Sequence, residues 1–207
     1  MDVLSATASG LFASGNTQQQ AQLENLAQRQ LSSALEQFTE KKYDAAISTF
    51  RRAIALAPLS TVATNAYDYM ARAYLAKEDV KSAIAAYKES LRGNPTDANA
   101  HFQLGNIYVT QDDFELAKAS YQQAVRLDGG SANRYALAQT LMELGEYREA
   151  EAQFKAVQNL EPAKPNGDYG LGLAYAKQGK TADAINAFER AISKDRTFYY
   201  AQVELGY

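Results

Sequence analysis

The chain has 207 residues, with 46% hydrophobic and 22% charged side chains and a formal net charge of −3, values typical of a soluble globular protein. This weak negative charge gives no electrostatic attraction for DNA, RNA or an anionic membrane, so nucleic acid is not an expected partner. The lack of cysteine excludes disulfides and thiol chemistry, and because no run of 18 apolar residues occurs, no transmembrane segment is expected.

The first predicted element is residues 1–15, an N-terminal arm or short helix. Asp2 is a candidate helix N-cap, and apolar residues follow it at helical spacing. They are Leu4, Ala8, Leu11 and Phe12. Two interpretations are open: the segment packs on the first repeat of its own chain, or it inserts into the groove of another copy and drives assembly. Gly15 and Asn16 then predict a break, after which a new helix runs to about Lys41.

From there on, the hydrophobic periodicity predicts paired helices. In residues 101–127, His101, Leu104, Gly105 and Tyr108 fall at i, i+3, i+4 and i+7, on one face of a predicted helix that ends near Thr110. A second helical stripe begins at Phe114. Two helices joined by so few residues lie antiparallel and bury their stripes against each other. One such hairpin has too small a core to be stable alone, so the pattern is expected to recur.

The pattern does recur along the chain. A small residue marks the middle of each predicted second helix, at Ala46, Ala83, Ala117, Ala150 and Ala184, in steps of 37, 34, 33 and 34 residues. An aromatic residue stands four positions later every time, at Phe50, Tyr87, Tyr121, Phe154 and Phe188. Such self-similarity predicts a stack of near-identical helical hairpins.

These residues resemble a known family, the tetratricopeptide repeat (TPR), whose period is about 34 residues. The matching positions in one copy are Leu104-Gly105, Tyr108, Phe114, Ala117, Tyr121 and Ala124. The resemblance implies an all-α, right-handed α-solenoid, or superhelix, of about five helix-turn-helix repeats plus a partial sixth. Within a TPR domain of residues 16–207, the repeats are expected at about 28–61, 64–97, 98–130, 131–164 and 165–198, and 199–207 begin a sixth repeat or form a capping helix.

A glycine-rich stretch opens the fifth repeat at residues 165–172. No predicted strand precedes it and no Gly-Lys-Ser/Thr follows it, so it is not a phosphate loop. Gly172 matches the TPR signature, whereas Gly167 and Gly170 do not. Because each glycine lowers helix stability by about 1 kcal/mol relative to alanine, this helix is expected to fray most easily.

The sequence offers no candidate catalytic or metal site. His101 is the only histidine, and it lies on the packing face of its predicted helix. No clustered metal ligands and no His-supported nucleophile accompany it. The protein is therefore predicted to be no enzyme and to need no cofactor and no metal.

The TPR resemblance implies a binding surface, because the first helices of the repeats line the concave side of the superhelix. The candidate groove residues on that side are Asn65, Asp68, Tyr69, Arg72, Asn99, Phe102, Asn106, Tyr135, Gln139, Asn166 and Tyr169. Aromatic rings bury a large area at low entropic cost, and amides can hydrogen-bond a peptide backbone in both directions. In a second interpretation, the rings are simply half buried between neighbouring hairpins.

We therefore expect a noncatalytic protein–protein interaction scaffold or adaptor that binds a peptide or protein segment in this groove. The alternatives are a self-assembling structural protein that uses the N-terminal segment or the open C-terminal end, and a TPR fragment of a larger multidomain protein. The family's clamp for chaperone C-terminal tails needs paired cations that the matching positions lack, so that activity is not expected. A cytoplasmic location is expected, with an extracytoplasmic one left open.

Overall fold

A computed structural model describes the backbone of residues 3–206 and the side chains of residues 17–198 and 200–206. Within residues 3–206 the chain forms eleven helices and no strand, so the predicted all-α class is confirmed. The helices are α1 (Val3–Thr39), α2 (Tyr43–Leu56), α3 (Thr61–Ala76), α4 (Val80–Gly93), α5 (Ala98–Thr110), α6 (Phe114–Leu127), α7 (Ser131–Glu143), α8 (Tyr147–Leu160), α9 (Asn166–Lys177), α10 (Thr181–Lys194) and α11 (Tyr199–Leu205). None of these described helices is both long and apolar enough to cross a bilayer.

The chain divides into two compact units, Met1–Thr96 and Asp97–Tyr207. In the first unit α1 pairs with α2 and α3 pairs with α4, and α2 also packs on α3. In the second unit the pairs are α5 with α6, α7 with α8, and α9 with α10, and each hairpin packs on the next one. The helices thus form successive hairpins within each unit, as the sequence repeat predicts.

Helix α1 differs from the sequence prediction, because it continues through Gly15 and Asn16 without a break. A single glycine inside a helix costs only about 1 kcal/mol, which the run of glutamine and alanine that follows can offset. Residues 17–26 of α1 are exposed, and burial begins at Ala27. The side chains of residues 1–16 lie outside the described part of the chain, so both interpretations of residues 1–15 stay predictions.

The turn inside each hairpin places one residue in the left-handed region. These residues are Lys41, Glu78, Asp112, Gly145 and Gly179, with φ between 59° and 75°. In every turn, the residue directly after this left-handed residue donates its backbone N–H to the carbonyl oxygen of the residue five positions before it. This hydrogen bond is typical of a Schellman helix end. This shared geometry reverses the chain within three residues and holds the two helices antiparallel.

The repeated small residue and the repeated aromatic form the core of each hairpin. The five alanines are 0–4% exposed, as are the five aromatics that follow them by four positions. Each aromatic leaves little room on the facing first helix: a Cβ added at Gly105 would lie 2.5 Å from the Tyr121 ring, and one at Gly172 would lie 2.3 Å from Phe188. The small residues of the TPR signature therefore make space for these rings.

Candidate peptide-binding groove

Two adjoining cavities lie on the first helices of the second unit. Cavity A, of about 880 Å³, is bordered mainly by α5 and α7, with Phe114, Tyr121 and Val157 behind them. Cavity B, of about 730 Å³, is bordered mainly by α7, α9 and the start of α11. The two cavities share four lining residues, which are Tyr135, Gln139, Glu143 and Asn166. We call cavities A and B together the groove.

Six of the sequence-predicted site residues line this groove. Phe102 and Asn106 line cavity A, Tyr169 lines cavity B, and Tyr135, Gln139 and Asn166 line both. Asn99 belongs to the same unit but does not line either cavity. Its side-chain oxygen accepts a hydrogen bond from Gln103 on the exposed surface of α5, at 3.4 Å.

The other four predicted residues lie in the first unit, where Arg72 contacts both Tyr69 and Asp68. The ring of Tyr69 packs against those of Phe38 and Phe50, with centroids 6.0 and 6.2 Å away. The Arg72 guanidinium lies 5.0 Å from the Tyr69 ring centroid and forms a 2.8 Å ion pair with Asp68. Asn65 is exposed. Packing thus occupies much of Tyr69, and a binding role for these four residues stays a prediction.

Each aromatic ring of the groove is fixed from behind by the repeated aromatic of its own hairpin. The ring centroids are 5.5 Å apart for Phe102 and Tyr121, 5.5 Å for Tyr135 and Phe154, and 5.9 Å for Tyr169 and Phe188. Each ring is half buried on the core and also lines a cavity, so the packing role and a binding role do not exclude each other, and the binding role stays a prediction. Rings held in place before binding lose little conformational entropy when a ligand arrives.

The amide side chains of the groove differ in whether they already form hydrogen bonds within the protein. The Tyr121 hydroxyl donates a 2.7 Å hydrogen bond to the Asn106 side-chain oxygen, and the Asn106 amide nitrogen donates to Gln103 at 3.3 Å. Gln139 and Asn166 are exposed, and their side chains make no hydrogen bond with any described residue. These two amides can therefore pair with the backbone of a ligand, whereas Asn106 is already engaged.

The phenols of the groove remain neutral. Burial raises the pKa of Tyr121 to about 12 and also raises the pKa of Tyr135. The pKa of Tyr169 is raised as well, first by burial and then by nearby charge, mainly that of Glu204. All three hydroxyls keep their protons at neutral pH. The Tyr121 hydroxyl donates to Asn106, and those of Tyr135 and Tyr169 can serve as hydrogen-bond donors.

The sequence did not reveal the residues that close the ends of the groove. Phe198 and Tyr200 border cavity B, with ring centroids 5.4 and 6.1 Å from that of Tyr169. Asp112 and Glu143 lie at the ends of first helices and border cavity A. Glu143 follows Tyr135 and Gln139 along one face of α7, so helical spacing could have identified it. Asp112, Phe198 and Tyr200 lie in a turn or at a helix start, where little helical periodicity exists.

Matches to family models confirm the tetratricopeptide repeats that the sequence predicts. Two models described as tetratricopeptide repeats match residues 27–58 and 98–130, and residues 135–200, and a TPR repeat model matches residues 71–112. The chain belongs to the tetratricopeptide repeat family. No curated protein matches this TPR chain in sequence.

Solved structures with the same TPR fold include YrrB and MamA. YrrB, described as a TPR protein with an unusual peptide-binding site, is 23% identical with a TM-score of 0.75, over 86% of this chain and 91% of YrrB. One MamA structure is 19% identical with a TM-score of 0.73, over 87% of this chain and 96% of that one. MamA from Desulfovibrio magneticus RS-1 is 21% identical with a TM-score of 0.61, over 69% of this chain and 85% of that one. At these identities the likeness establishes the fold.

Proposed function

We propose that this TPR protein is a noncatalytic scaffold that binds an extended peptide or protein segment in the groove. The observation that carries the proposal is the row formed by Phe102, Tyr135 and Tyr169, each held against its own hairpin core and each lining a cavity. Fixed aromatic anchors of this kind supply most of the binding energy at protein interfaces.

Two further features support a peptide as the ligand. The unengaged amides of Gln139 and Asn166 stand where both cavities meet, so one ligand could cross from cavity A to cavity B while pairing its backbone with them. Each cavity also has the volume of a typical ligand pocket, enough for large side chains. YrrB, which has the same fold, is described as having an unusual peptide-binding site, and this favours a peptide as the ligand.

The test begins with a random phage-displayed peptide library selected against the full chain. Individual selected peptides are then titrated by calorimetry against the wild type and against the double variant Tyr135→Ala with Gln139→Ala. We expect the variant to bind about tenfold more weakly or worse, equivalent to about 1.4 kcal/mol, because it removes the central ring and the central amide.

The matched control is Gln122→Ala, an exposed position on α6 that does not line the groove. Its affinity should equal that of the wild type. Because Tyr135 also packs on Phe154, urea unfolding of the double variant is measured in parallel to show that it is folded under the binding conditions. Selected peptides that bind the folded double variant as tightly as the wild type would rule out the groove as the binding surface.

A further inference from the structure

Cavity A carries unbalanced charge. Three carboxylates and one ammonium group line it, from Asp112, Glu143, Glu161 and Lys164. Lys164 forms a 2.9 Å ion pair with Glu161, so these two charges offset each other. Asp112 and Glu143 form no ion pair with any described side chain. The cavity therefore keeps two uncompensated negative charges.

Both uncompensated carboxylates lie at one end of cavity A. Glu143 is the last residue of α7, and Asp112 follows the last turn of α5. The carboxyl end of a helix carries roughly half a negative charge, so α5 and α7 add to the negative potential there. The opposite end holds Lys164 and the amino ends of α7 and α9, at Ser131 and Asn166. The field along the cavity is thus polarised, with its negative end at Asp112 and Glu143.

Aromatic rings line the same cavity. Phe114 stands two residues after Asp112 at the negative end, whereas Tyr135 lies eight residues before Glu143, about 12 Å along α7. A flat cation is attracted to the face of a ring such as Phe114, and a guanidinium can meanwhile form paired hydrogen bonds with a carboxylate. An ammonium group has neither the planar shape nor the fork of donors, so arginine suits this combination better than lysine.

We propose that the segment bound in the groove carries an arginine, whose guanidinium occupies the end of cavity A formed by Asp112 and Glu143. The inference rests on the proposed function, because it names the chemistry of the bound segment. Cavity B has one carboxylate and one ammonium group, from Glu143 and Lys177, so its lining charges balance. The rest of its lining includes the rings of Tyr135, Tyr169, Phe198 and Tyr200, and it takes an apolar or aromatic side chain of the same segment. An acidic segment is repelled at cavity A.

The test uses the same random phage-displayed library on the full chain and on the double variant Asp112→Asn with Glu143→Gln. Asparagine tolerates the left-handed φ of 59° at position 112, so the turn is preserved. Peptides selected by the wild type should contain arginine, and the double variant should bind them about tenfold more weakly. Changing that arginine to alanine in the peptide should produce a similar loss with the wild type and little further loss with the variant.

The control is Asp183→Asn with Glu189→Gln, which removes two exposed carboxylates from α10, outside the groove. It should bind the arginine peptides as the wild type does. Selected peptides without arginine that still depend on Tyr135 and Gln139 would overturn this inference and leave the groove proposal standing. If no selected peptide depends on Tyr135 and Gln139, both proposals fail. Acidic peptides selected at the groove would also overturn the arginine assignment.

Discussion

Replacing Asp168 by alanine is expected to lower the free energy of unfolding by about 3–5 kcal/mol, the usual cost of breaking a buried ion pair from one side. Asp168 is completely buried in the first turn of α9. Its carboxylate accepts hydrogen bonds from Arg190 Nε at 2.8 Å, from Lys194 Nζ and from Gln158 Nε2. One side chain thus ties α9 to α8 and to α10.

The size of the effect depends on what the two cations do once the carboxylate is gone. The side chains of Arg190 and Lys194 are 47% and 21% exposed, so Arg190 can turn toward water more easily than Lys194 can. This partial escape favours the lower end of the range. Asp168→Asn keeps the shape and one acceptor oxygen, so it should be less harmful than Asp168→Ala.

Urea unfolding is the measurement, with Asp183→Asn as the control. Asp183 is an exposed carboxylate in the first turn of α10, where it interacts with the positive end of the helix dipole, so its neutralisation should cost no more than about 1 kcal/mol. If Asp168→Ala unfolds at the same urea concentration as this control, the buried cluster does not stabilise the second unit.

Gly170→Ala is expected to destabilise the protein by about 1–3 kcal/mol, as overpacking of a buried site does. The added Cβ would lie 2.3 Å from a ring carbon of Phe154, which is 1% exposed, so the ring or the helix would have to shift inside the packed core. Helix propensity alone predicts the opposite sign, a gain of about 1 kcal/mol. Gly167 is similar, because its Cβ would lie 2.6 Å from the backbone nitrogen of Gln158.

Ala176→Gly is the matched control for Gly170→Ala. Ala176 is exposed in the last turn of the same helix, so this change tests propensity without packing and should cost no more than about 1 kcal/mol. We expect both variants to unfold at lower urea concentrations than the wild type. A rise in stability for Gly170→Ala would mean that α9 does not need its close approach to α8.

The repeat core could be predicted from the sequence because its residues recur at a fixed period. Ala117 and Tyr121 belong to a pattern that appears five times, and the helical spacing around them gives their direction in the hairpin. The same register placed Phe102, Tyr135 and Tyr169 on one face, and all three line the groove. Periodic positions are predictable because the two helices of each repeat pack against each other in the same way.

The remaining contacts depend on side chains that come together only through packing. The partners of Asp168 are 10, 22 and 26 residues away in sequence and have no shared periodic signal. The glycine at position 170 lowers helix propensity, yet the structure places it against the ring of Phe154. The expectation that α9 frays most easily rests on helix propensity alone and leaves out the close approach of Gly170 to Phe154. Tyr69 belongs neither to the repeated core positions nor to the row of groove rings, and its ring packs against Phe38 and Phe50.

The central claim is that a peptide occupies the groove at the junction of its two cavities. Because the chain has no cysteine, Gln139→Cys would carry its single thiol at this junction, and Gln122→Cys would carry it on the exposed face of α6. The measurement is the rate of maleimide labelling of each variant as a library-selected peptide is added. We expect labelling at position 139 to slow in proportion to the bound fraction and labelling at position 122 to stay constant. Unchanged labelling at position 139 with saturating peptide would contradict the claim.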